Sequence, residues 1–204
     1  MIALIDYGMG NLSSVHKAFS FTCEHEIKIT DSKNDILDAN AVILPGVGNF
    51  GDGIRHLRER KLDDSIIKFI NSGRPFFGIC LGMQMLFERS EEANGVNGLG
   101  VIDGDVVKFS EKCGVKVPQM GWNSVAIKKK SDFFYEINEE EYFYFVHSYY
   151  VRPYDISAIA TTTDYTLDFC SSILIDNIFA TQFHPEKSQS AGLKLILNFL
   201  KTVK

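Results

Sequence analysis

The sequence predicts a three-layer α/β fold, with helices flanking a mostly parallel central sheet and an antiparallel extension in the C-terminal half. Over roughly the first 100 residues, short apolar runs typical of buried strands alternate with helical stretches, which indicates parallel βαβ units. Beyond that point, strands follow one another with few helices between them, and this favours antiparallel pairing. We expect one domain over residues 1–204, because this length suffices for one well-buried core and is short for two.

The first half of the chain supplies the predicted parallel units. Asn11 can cap a helix whose leucine, valine and phenylalanine side chains share one face. A second helical stretch ends near Gly73, a plausible helix C-cap, and a third helix begins just after Cys80 and runs towards Arg89. The predicted strands of this half are short and apolar or alternating, and they cover residues 2–5, 26–29, 41–44 and 76–79.

The second half of the chain is predicted to be mainly strand. Its final stretch returns to helical spacing, with apolar residues at Leu193, Ile196, Leu197 and Leu200. Before that helix, the apolar and alternating runs predict strands over residues 101–102, 106–107, 123–127, 142–151, 156–162, 173–175 and 178–183.

Composition excludes several classes of protein. The formal net charge is −5 and the one basic run, Lys128 to Lys130, is short, so the chain is a poor candidate for nucleic-acid binding. The four cysteines form no CxxC pair, which argues against a zinc site or a disulfide framework and favours a reducing compartment. No window of about 18 uncharged apolar residues is present, so we expect a soluble cytoplasmic protein that does not enter a membrane.

The segment Gly78-Ile79-Cys80-Leu81-Gly82 is the central chemical signal. It follows an apolar strand and precedes a predicted helix, which is the setting of a nucleophile elbow with cysteine in place of serine. Glycines permit the sharp turn, and the helix N-terminus beneath the sulfur favours the thiolate. The alternative is that Cys80 is a small buried hydrophobic residue, as we expect for Cys23, Cys113 and Cys170.

A base and its orienting group are predicted at His184-Pro185-Glu186. A thiol nucleophile needs a base, and the base needs a group that fixes its tautomer. Residues two apart in an extended segment face the same side, so Glu186 can hold the imidazole of His184 while His184 serves Cys80. The alternative is an ordinary His-Pro turn with a solvent-facing glutamate.

The loop Pro45-Gly46-Val47-Gly48 follows a predicted buried strand. Its glycines free the backbone to direct N–H groups at a developing oxyanion. An ordinary glycine-rich βα turn and a phosphate-binding turn are the other interpretations of this loop.

Taken together, the loop 45–48, the elbow with Met83 and Gln84, and His184-Pro185-Glu186 resemble the class I, or triad, glutamine amidotransferases over nearly the whole chain. Further segments are similar to the glutaminase subunits of imidazole glycerol phosphate synthase. These segments cover residues 5–11, 120–123, 145–149 and 181–188.

The resemblance implies a set of roles. The Cys80 thiolate attacks the side-chain amide of glutamine, His184 and Glu186 complete the triad, and a glutamyl thioester forms. No metal and no cofactor are expected. The implied oxyanion and substrate-binding residues are Gly46, Val47, Gly48, Leu81, Gln84, Glu92, His147, Ser148 and Tyr149, with His147 in the site wall. The alternative for Gln84 and Glu92 is an exposed helix face.

The resemblance also implies a partner. Ammonia is protonated and lost in bulk water, so a sealed path to an acceptor site is expected. In this family the partner is a (βα)8-barrel cyclase subunit in a heterodimer, and the product serves histidine biosynthesis. Trp122, Lys187 and Asn11 are the implied interface residues, although core packing competes as an explanation for the single tryptophan.

Three other functions compete with this one. A paralogous subunit with the same chemistry could feed another synthase, for example one that amidinates a surface-polysaccharide sugar, and a neighbouring gene for a barrel cyclase would argue against it. A cysteine peptidase or chaperone-like protein would share the elbow, but the segment from His184 to Glu186 and the side chain of Gln84 argue against it. A non-catalytic scaffold is disfavoured by the intact triad.

Overall fold

A computed structural model describes residues 1–22, 25–110 and 115–204 of the chain. Cys23 and Cys113, which we predicted to be structural, lie outside these residues. The described residues form thirteen strands: β1 (Ile2–Ile5), β2 (Ile27–Thr30), β3 (Ala41–Leu44), β4 (Phe76–Ile79), β5 (Phe87–Ser90), β6 (Ile102–Lys108), β7 (Gln119–Ser124), β8 (Ala126–Ile127), β9 (Tyr142–His147), β10 (Tyr149–Pro153), β11 (Ile159–Asp164), β12 (Asp168–Ile175) and β13 (Ile178–Thr181).

Six α-helices accompany the strands in the described part of the chain. Short 3-10 helices lie at Asp132–Phe134, Ile156–Ala158 and Pro185–Lys187. None of the helices in the ranges above has the length and apolar content needed to cross a membrane. The α-helices are α1 (Leu12–Thr22), α2 (Lys33–Asp38), α3 (Phe50–Glu59), α4 (Asp63–Asn71), α5 (Leu81–Gln84) and α6 (Gln189–Leu200).

The central sheet confirms the predicted fold class. Its order is β2-β1-β3-β4-β13-β12-β10-β6-β5, with β11 and β8 attached beside β12. The contacts from β2 through β13 are parallel, whereas β13–β12, β12–β10 and β10–β6 are antiparallel. A separate antiparallel ribbon is formed by β7 and β9. The parallel half of the sheet therefore ends at β13, beside which the antiparallel extension begins.

Alternate residues of β1 show how the layers are arranged. Ala3 and Ile5 belong to a buried cluster that includes apolar residues of α2, α3 and α4. Ile2 and Leu4 belong to a second cluster that includes apolar residues of α1 and α6. Because successive side chains of a strand point to opposite faces, the two clusters occupy the two faces of the sheet. The molecule is thus layered helix, sheet, helix around two apolar interfaces.

The predicted helix after Cys80 is wrong beyond its first turn. The helix ends at Gln84, and the residues from Phe87 to Ser90 form β5 instead. The carbonyls of Met85 and Leu86 accept hydrogen bonds from the segment 99–102. Long-range pairing with that segment therefore overrides the helical pattern of the local sequence.

Other boundaries also differ from the predicted ones. The helical stretch before Gly73 is two helices, α3 and α4, separated by Lys61 with a left-handed φ of 57°. The short helix α2 was not predicted. Predicted strands 101–102 and 106–107 are the single strand β6, and predicted strand 142–151 is divided at Ser148 into β9 and β10. The start of predicted strand 156–162 is a 3-10 helix.

Candidate active site

Cys80 occupies the sharp turn between β4 and α5. Its backbone has φ 53° and ψ −107°, a conformation that side-chain-bearing residues rarely adopt. Its N–H donates to the carbonyl of Thr181 on β13 at 2.7 Å. A Cβ at Gly82 would lie 1.9 Å from the carbonyl oxygen of Leu44, so only glycine allows α5 to start this close to β3. The turn therefore has the geometry expected of a nucleophile elbow.

His184 reaches the same place because β13 is the neighbour of β4. Gly78 pairs with Ala180 in the parallel register, and the chain leaves β13 just before His184. The Nδ1–H of His184 donates to Oε1 of Glu186 at 2.8 Å, and the two side chains are 2% and 1% exposed. This bond fixes the tautomer and leaves Nε2 directed away from the carboxylate.

The electrostatics couple His184 to the sulfur. Burial alone would lower the pKa of His184, but the charge and proximity of Cys80, followed by the contact with Glu186, raise this pKa to about 10. Nε2 nevertheless makes no hydrogen bond of standard geometry to the described residues. Catalytic hydrogen bonds are often long before substrate binds, so the arrangement is that of an imidazole base beside a candidate nucleophilic thiol.

The loop 45–48 packs directly onto the elbow. The hydroxyl of Tyr7 donates to the carbonyl of Pro45 at 3.0 Å. Burial, together with the charge on Cys80, raises the pKa of Tyr7, so this phenol stays neutral and remains a donor. A Cβ at Gly46 would lie 2.5 Å from the Tyr7 hydroxyl and 2.8 Å from Cβ of Leu81, which explains the need for glycine there.

A cavity of about 240 Å³ opens beside the sulfur. Its lining includes nearly all of the substrate-binding residues that the resemblance implied; Gly46 lies just behind the lining, against Leu81. Pro118 and Val146 complete the wall and were not predicted. The lining residues are Val47, Gly48, Cys80, Leu81, Gln84, Glu92, Pro118, Val146, His147, Ser148, Tyr149 and His184.

Gln84 and Glu92 are not on an exposed helix face. Gln84 is 5% exposed, and its Nε2 donates to the carbonyl of Tyr149 at 3.0 Å. Oε2 of Glu92 accepts the N–H of Phe50 at 2.7 Å, at the start of α3. Glu92 therefore stabilises a helix N-terminus while it lines the cavity.

His147 is a buried, neutral member of the cavity wall. Its Nδ1 donates to the carbonyl of Tyr149 at 2.8 Å, and its Nε2 has no hydrogen-bond partner among the described residues. Burial, and secondarily the charge on His184, lower the pKa of His147 to about 4, although the bond to Tyr149 opposes this. At neutral pH the free nitrogen of His147 is thus a buried acceptor within the cavity wall.

Gln182 is a residue of the site to which the sequence analysis gave no role. It is fully buried, its Nε2 lies 3.6 Å from Sγ of Cys80, and its Oε1 accepts Nε2 of Gln84 at 3.0 Å. Because residues two apart in an extended segment share a side, the position of Gln182 relative to His184 was a signal that could have revealed it.

Two of the implied interface residues meet on one aromatic ring. Trp122 is 46% exposed and packs its edge against Tyr144 with ring centroids 6.1 Å apart. Nζ of Lys187 lies 5.8 Å from the centroid of the same tyrosine ring. Asn11 is exposed at the start of α1, where its side chain accepts the N–H of Ser14. The helix α1 packs against the 3-10 helix that carries Lys187.

The arrangement can perform one type of chemistry. A thiol, an imidazole and an orienting carboxylate converge beside a glycine-rich loop, as covalent acyl transfer requires. Within residues 1–22, 25–110 and 115–204, no group of three His, Cys, Asp or Glu side chains could hold a metal ion.

Comparison with known proteins agrees with this chemistry. A family model described as glutamine amidotransferase class-I matches residues 3–203, and the chain belongs to this family. A solved structure described as a glutamine amidotransferase has a TM-score of 0.77 at 18% identity, covering 100% of this chain and 99% of that one, which shows the shared fold.

Within the class, the chain is similar to one kind of subunit over almost its full length. It is 50% identical over 199 residues to the imidazole glycerol phosphate synthase subunit HisH of Rhodopirellula baltica, covering 98% of this chain and 96% of that protein. It is 49% identical over 201 residues to the HisH subunit of Methanocaldococcus jannaschii, covering 98% and 99% of the two chains.

Proposed function

We propose that the chain is the glutaminase subunit of an imidazole glycerol phosphate synthase. It hydrolyses glutamine to glutamate and ammonia and passes the ammonia to a cyclase subunit in the cytoplasm. The observation that carries the proposal is the convergence of Cys80, His184 and Glu186 at one cavity, in a chain about half identical to HisH subunits.

The first half of the reaction forms a thioester. The Cys80 thiolate attacks the amide carbon of glutamine, and the carbonyl electrons move to an oxyanion. Backbone N–H groups of the loop at Val47 and of Leu81 stabilise that oxyanion. The protonated His184 then gives its proton to the leaving nitrogen, so ammonia departs and a glutamyl thioester remains.

The second half releases glutamate. His184, now neutral, takes a proton from a water molecule, and the resulting hydroxide attacks the thioester. Collapse of the second oxyanion expels the thiolate of Cys80, while Glu186 stabilises the charged imidazole of His184. The polar groups of Gln84, Glu92, Ser148 and Tyr149 in the cavity wall serve the amino-acid end of the substrate.

The partner is a (βα)8-barrel cyclase that joins this single-domain chain in a heterodimer. Ammonia delivered in a sealed path escapes protonation by bulk water, and the acceptor is converted to imidazole glycerol phosphate and an aminoimidazole carboxamide ribotide. Trp122, Lys187 and Asn11 contact the partner. An exposed tryptophan that packs on Tyr144 is a suitable interface anchor, since aromatic residues carry much of the binding energy in protein interfaces.

The test replaces Cys80 with alanine in the assembled complex. Synthesis of imidazole glycerol phosphate from glutamine should fall to background, whereas synthesis driven by an added ammonium salt should be unchanged. Cys170→Ala is the matched control, because Cys170 is buried outside the cavity lining, and both nitrogen sources should still work in that variant. Loss of synthesis from both sources in Cys80→Ala, in a folded complex, would contradict the proposal.

A further inference from the structure

We propose that Gln182 donates a hydrogen bond to the nucleophilic sulfur of Cys80, and that a relay of amides from the Tyr149 carbonyl through Gln84 holds it in that orientation. The effect on turnover rests on the proposed glutaminase function, whereas the effect on the sulfur itself does not.

The backbone places Gln182 beside the sulfur. Its N–H donates to the carbonyl of Ser171 at 2.9 Å, which extends the ladder between β13 and β12 by one residue. Its side chain is completely buried, and Nε2 lies 3.6 Å from Sγ of Cys80. A buried amide needs partners for its polar atoms, and here the sulfur is the partner of the nitrogen.

The relay fixes which end of the Gln182 amide faces the sulfur. The Tyr149 carbonyl is an acceptor only, so the Gln84 atom 3.0 Å from it is the nitrogen. The same nitrogen lies 3.0 Å from the Gln182 side chain, which must therefore present its oxygen there. The remaining polar atom of the Gln182 side chain, Nε2, therefore faces Sγ of Cys80. Rotating the Gln182 amide by half a turn would bring two nitrogens together and aim an oxygen at the sulfur.

The Tyr149 carbonyl accepts from two side chains of the cavity wall. It receives the N–H of Gln84 and also Nδ1 of His147, at 2.8 Å. One backbone group thus determines both the orientation of the amide relay and the tautomer of His147. Both of its lone pairs are used, which holds the relay in one arrangement.

A donor at this position stabilises the charged sulfur. The thiolate carries the negative charge before attack, and in the thioester its electron pair has become the C–S bond. The contact with Gln182 is therefore stronger in the free enzyme than in the thioester. Its main consequence is a larger thiolate fraction near neutral pH.

Other groups also act on the sulfur and stay unchanged in the proposed variants. His184 follows β13 and Tyr7 follows β1, and the pKa of each is raised by the charge on Cys80. The other titratable groups that face the cavity or bind these two are Glu92, His147, Tyr149 and Glu186. These groups are the same in every variant, so a change in the pH at which Cys80 ionises reports the change at residue 182.

The experiment measures alkylation of Cys80 by iodoacetamide against pH, using the full chain in complex with its partner. Peptide mass spectrometry separates Cys80 from the other cysteines. In Gln182→Leu the midpoint of the rate profile should rise by about one pH unit, because a hydrogen bond to a charged group is lost. The pH profile of kcat/KM for glutamine should also move to higher pH. The lower kcat/KM of this variant near neutral pH should then be recovered at high pH.

Two further variants make the test decisive. Gln182→Glu keeps the shape of the side chain but brings a carboxylate to the sulfur. The alkylation midpoint should therefore rise further than in Gln182→Leu. If the leucine variant does not fold, the result for Gln182→Glu decides the test. Asn198→Leu is the matched control. It removes another buried amide, whose Nδ2 donates to the carbonyls of Phe133 and Tyr135, and it should lower the melting temperature without moving the midpoint.

Two results would overturn the inference. One is an unchanged alkylation midpoint in both Gln182 variants; the other is a rise in KM for glutamine as the only effect, which would place Gln182 in substrate binding. If the midpoint moves although even the wild-type complex fails to hydrolyse glutamine, the relay stands and the proposed function fails.

Discussion

Cys80 is held in a backbone conformation that costs about 1–3 kcal/mol for a residue with a side chain. The hydrogen bond from its N–H to Thr181 and the bonds that its carbonyl accepts from Met83 and Gln84 maintain that conformation. The strained residue is thus fixed on one side by β13 and on the other by α5. The same strand β13 leads into His184, so one neighbouring strand both constrains the proposed nucleophile and positions its proposed base.

Removing the charge of Glu186 should slow turnover more than it weakens substrate binding. In Glu186→Gln the raised pKa of His184 falls, because the carboxylate is one of the groups that raise it. We expect kcat for glutamine hydrolysis to drop by about 10²-fold with little change in KM. Steady-state kinetics of the complex would check this. Cys80→Ala should be worse, and an equal loss in the two variants would mean that the triad acts only as a unit.

His147 should make stability depend on pH. Its folded-state pKa of about 4 lies below the ordinary value of 6.5, so the unfolded chain binds more protons between these values. Stability therefore rises as pH increases from about 4 to 6.5, by roughly 3 kcal/mol from this residue. Denaturant unfolding across this range should show a shallower slope in His147→Phe than in wild type.

Measurement at pH 7.5 provides the internal control for this prediction. His147 is neutral there in both states, so any difference between the two proteins reflects packing and the lost hydrogen bond to the Tyr149 carbonyl, and not titration. Phe145 and Phe169 surround the imidazole ring with centroids 5.7 and 5.3 Å away, which favours an aromatic replacement. An identical slope in both proteins would contradict the assignment.

Sequence reasoning selected Cys80, His184 and Glu186 as the candidate triad because their residue types suit those roles, whereas Gln182, although it lies in the segment 181–188, was given no role. A glutamine two residues before a histidine has no distinctive composition, and its importance depends on Gln84 and Cys80, which are about 100 residues away in sequence. Only the parallel pairing of β4 with β13 brings these residues together.

At the level of secondary-structure elements, the strands of the parallel half were predictable and the element after the nucleophile was not. Continuous apolar runs such as β3 and β4 are buried on both faces, and glycine or proline bounds them in the sequence. The stretch from Met85 to Phe87 is equally compatible with a helix or a strand. Its outcome was decided by the carbonyls of Met85 and Leu86, which bond to a segment more than ten residues further on.

Gly82→Ala should separate α5 from β3. The added Cβ would lie 1.9 Å from the backbone oxygen of Leu44, and backbone cannot move aside as a flexible side chain can. We expect a loss of about 3 kcal/mol in the free energy of unfolding, measured by denaturant titration, together with loss of glutaminase activity. Gly53→Ala is the control, because its Cβ would meet only the side chains of Met85 and Leu81. Equal destabilisation by both changes would argue against the close approach.

At the scale of the whole molecule, different parts of the fold contribute different parts of the candidate site. The parallel half carries the elbow and the loop 45–48 at the carboxyl ends of its strands, where open α/β sheets bind ligands. The antiparallel half supplies the cavity wall at Tyr149, where β10 begins, and the separate β7–β9 ribbon supplies it at His147, where β9 ends. This second contribution could not be predicted from strand patterns, because those patterns gave neither the pairing order nor the break at Ser148.

Trp122→Ala should weaken the complex without harming the fold. The indole is half-exposed and packs on Tyr144, so truncation removes surface that we propose contacts the cyclase subunit while the buried clusters stay intact. We expect affinity for the cyclase to fall about tenfold or more by isothermal titration calorimetry, with an unchanged melting temperature. Ile156→Ala is the control, since Ile156 is 78% exposed beyond the end of β10 that lies away from the cavity. Unaltered affinity in Trp122→Ala would remove this residue from the interface.

The parallel pairing of β4 with β13 also has a consequence during synthesis of the chain. The candidate nucleophile is made before the strand beside it and the candidate base at His184, which follow it by about 100 residues in the chain. A growing or prematurely ended polypeptide therefore carries the thiol without the group that activates it. We therefore expect unfinished copies of the enzyme not to consume glutamine.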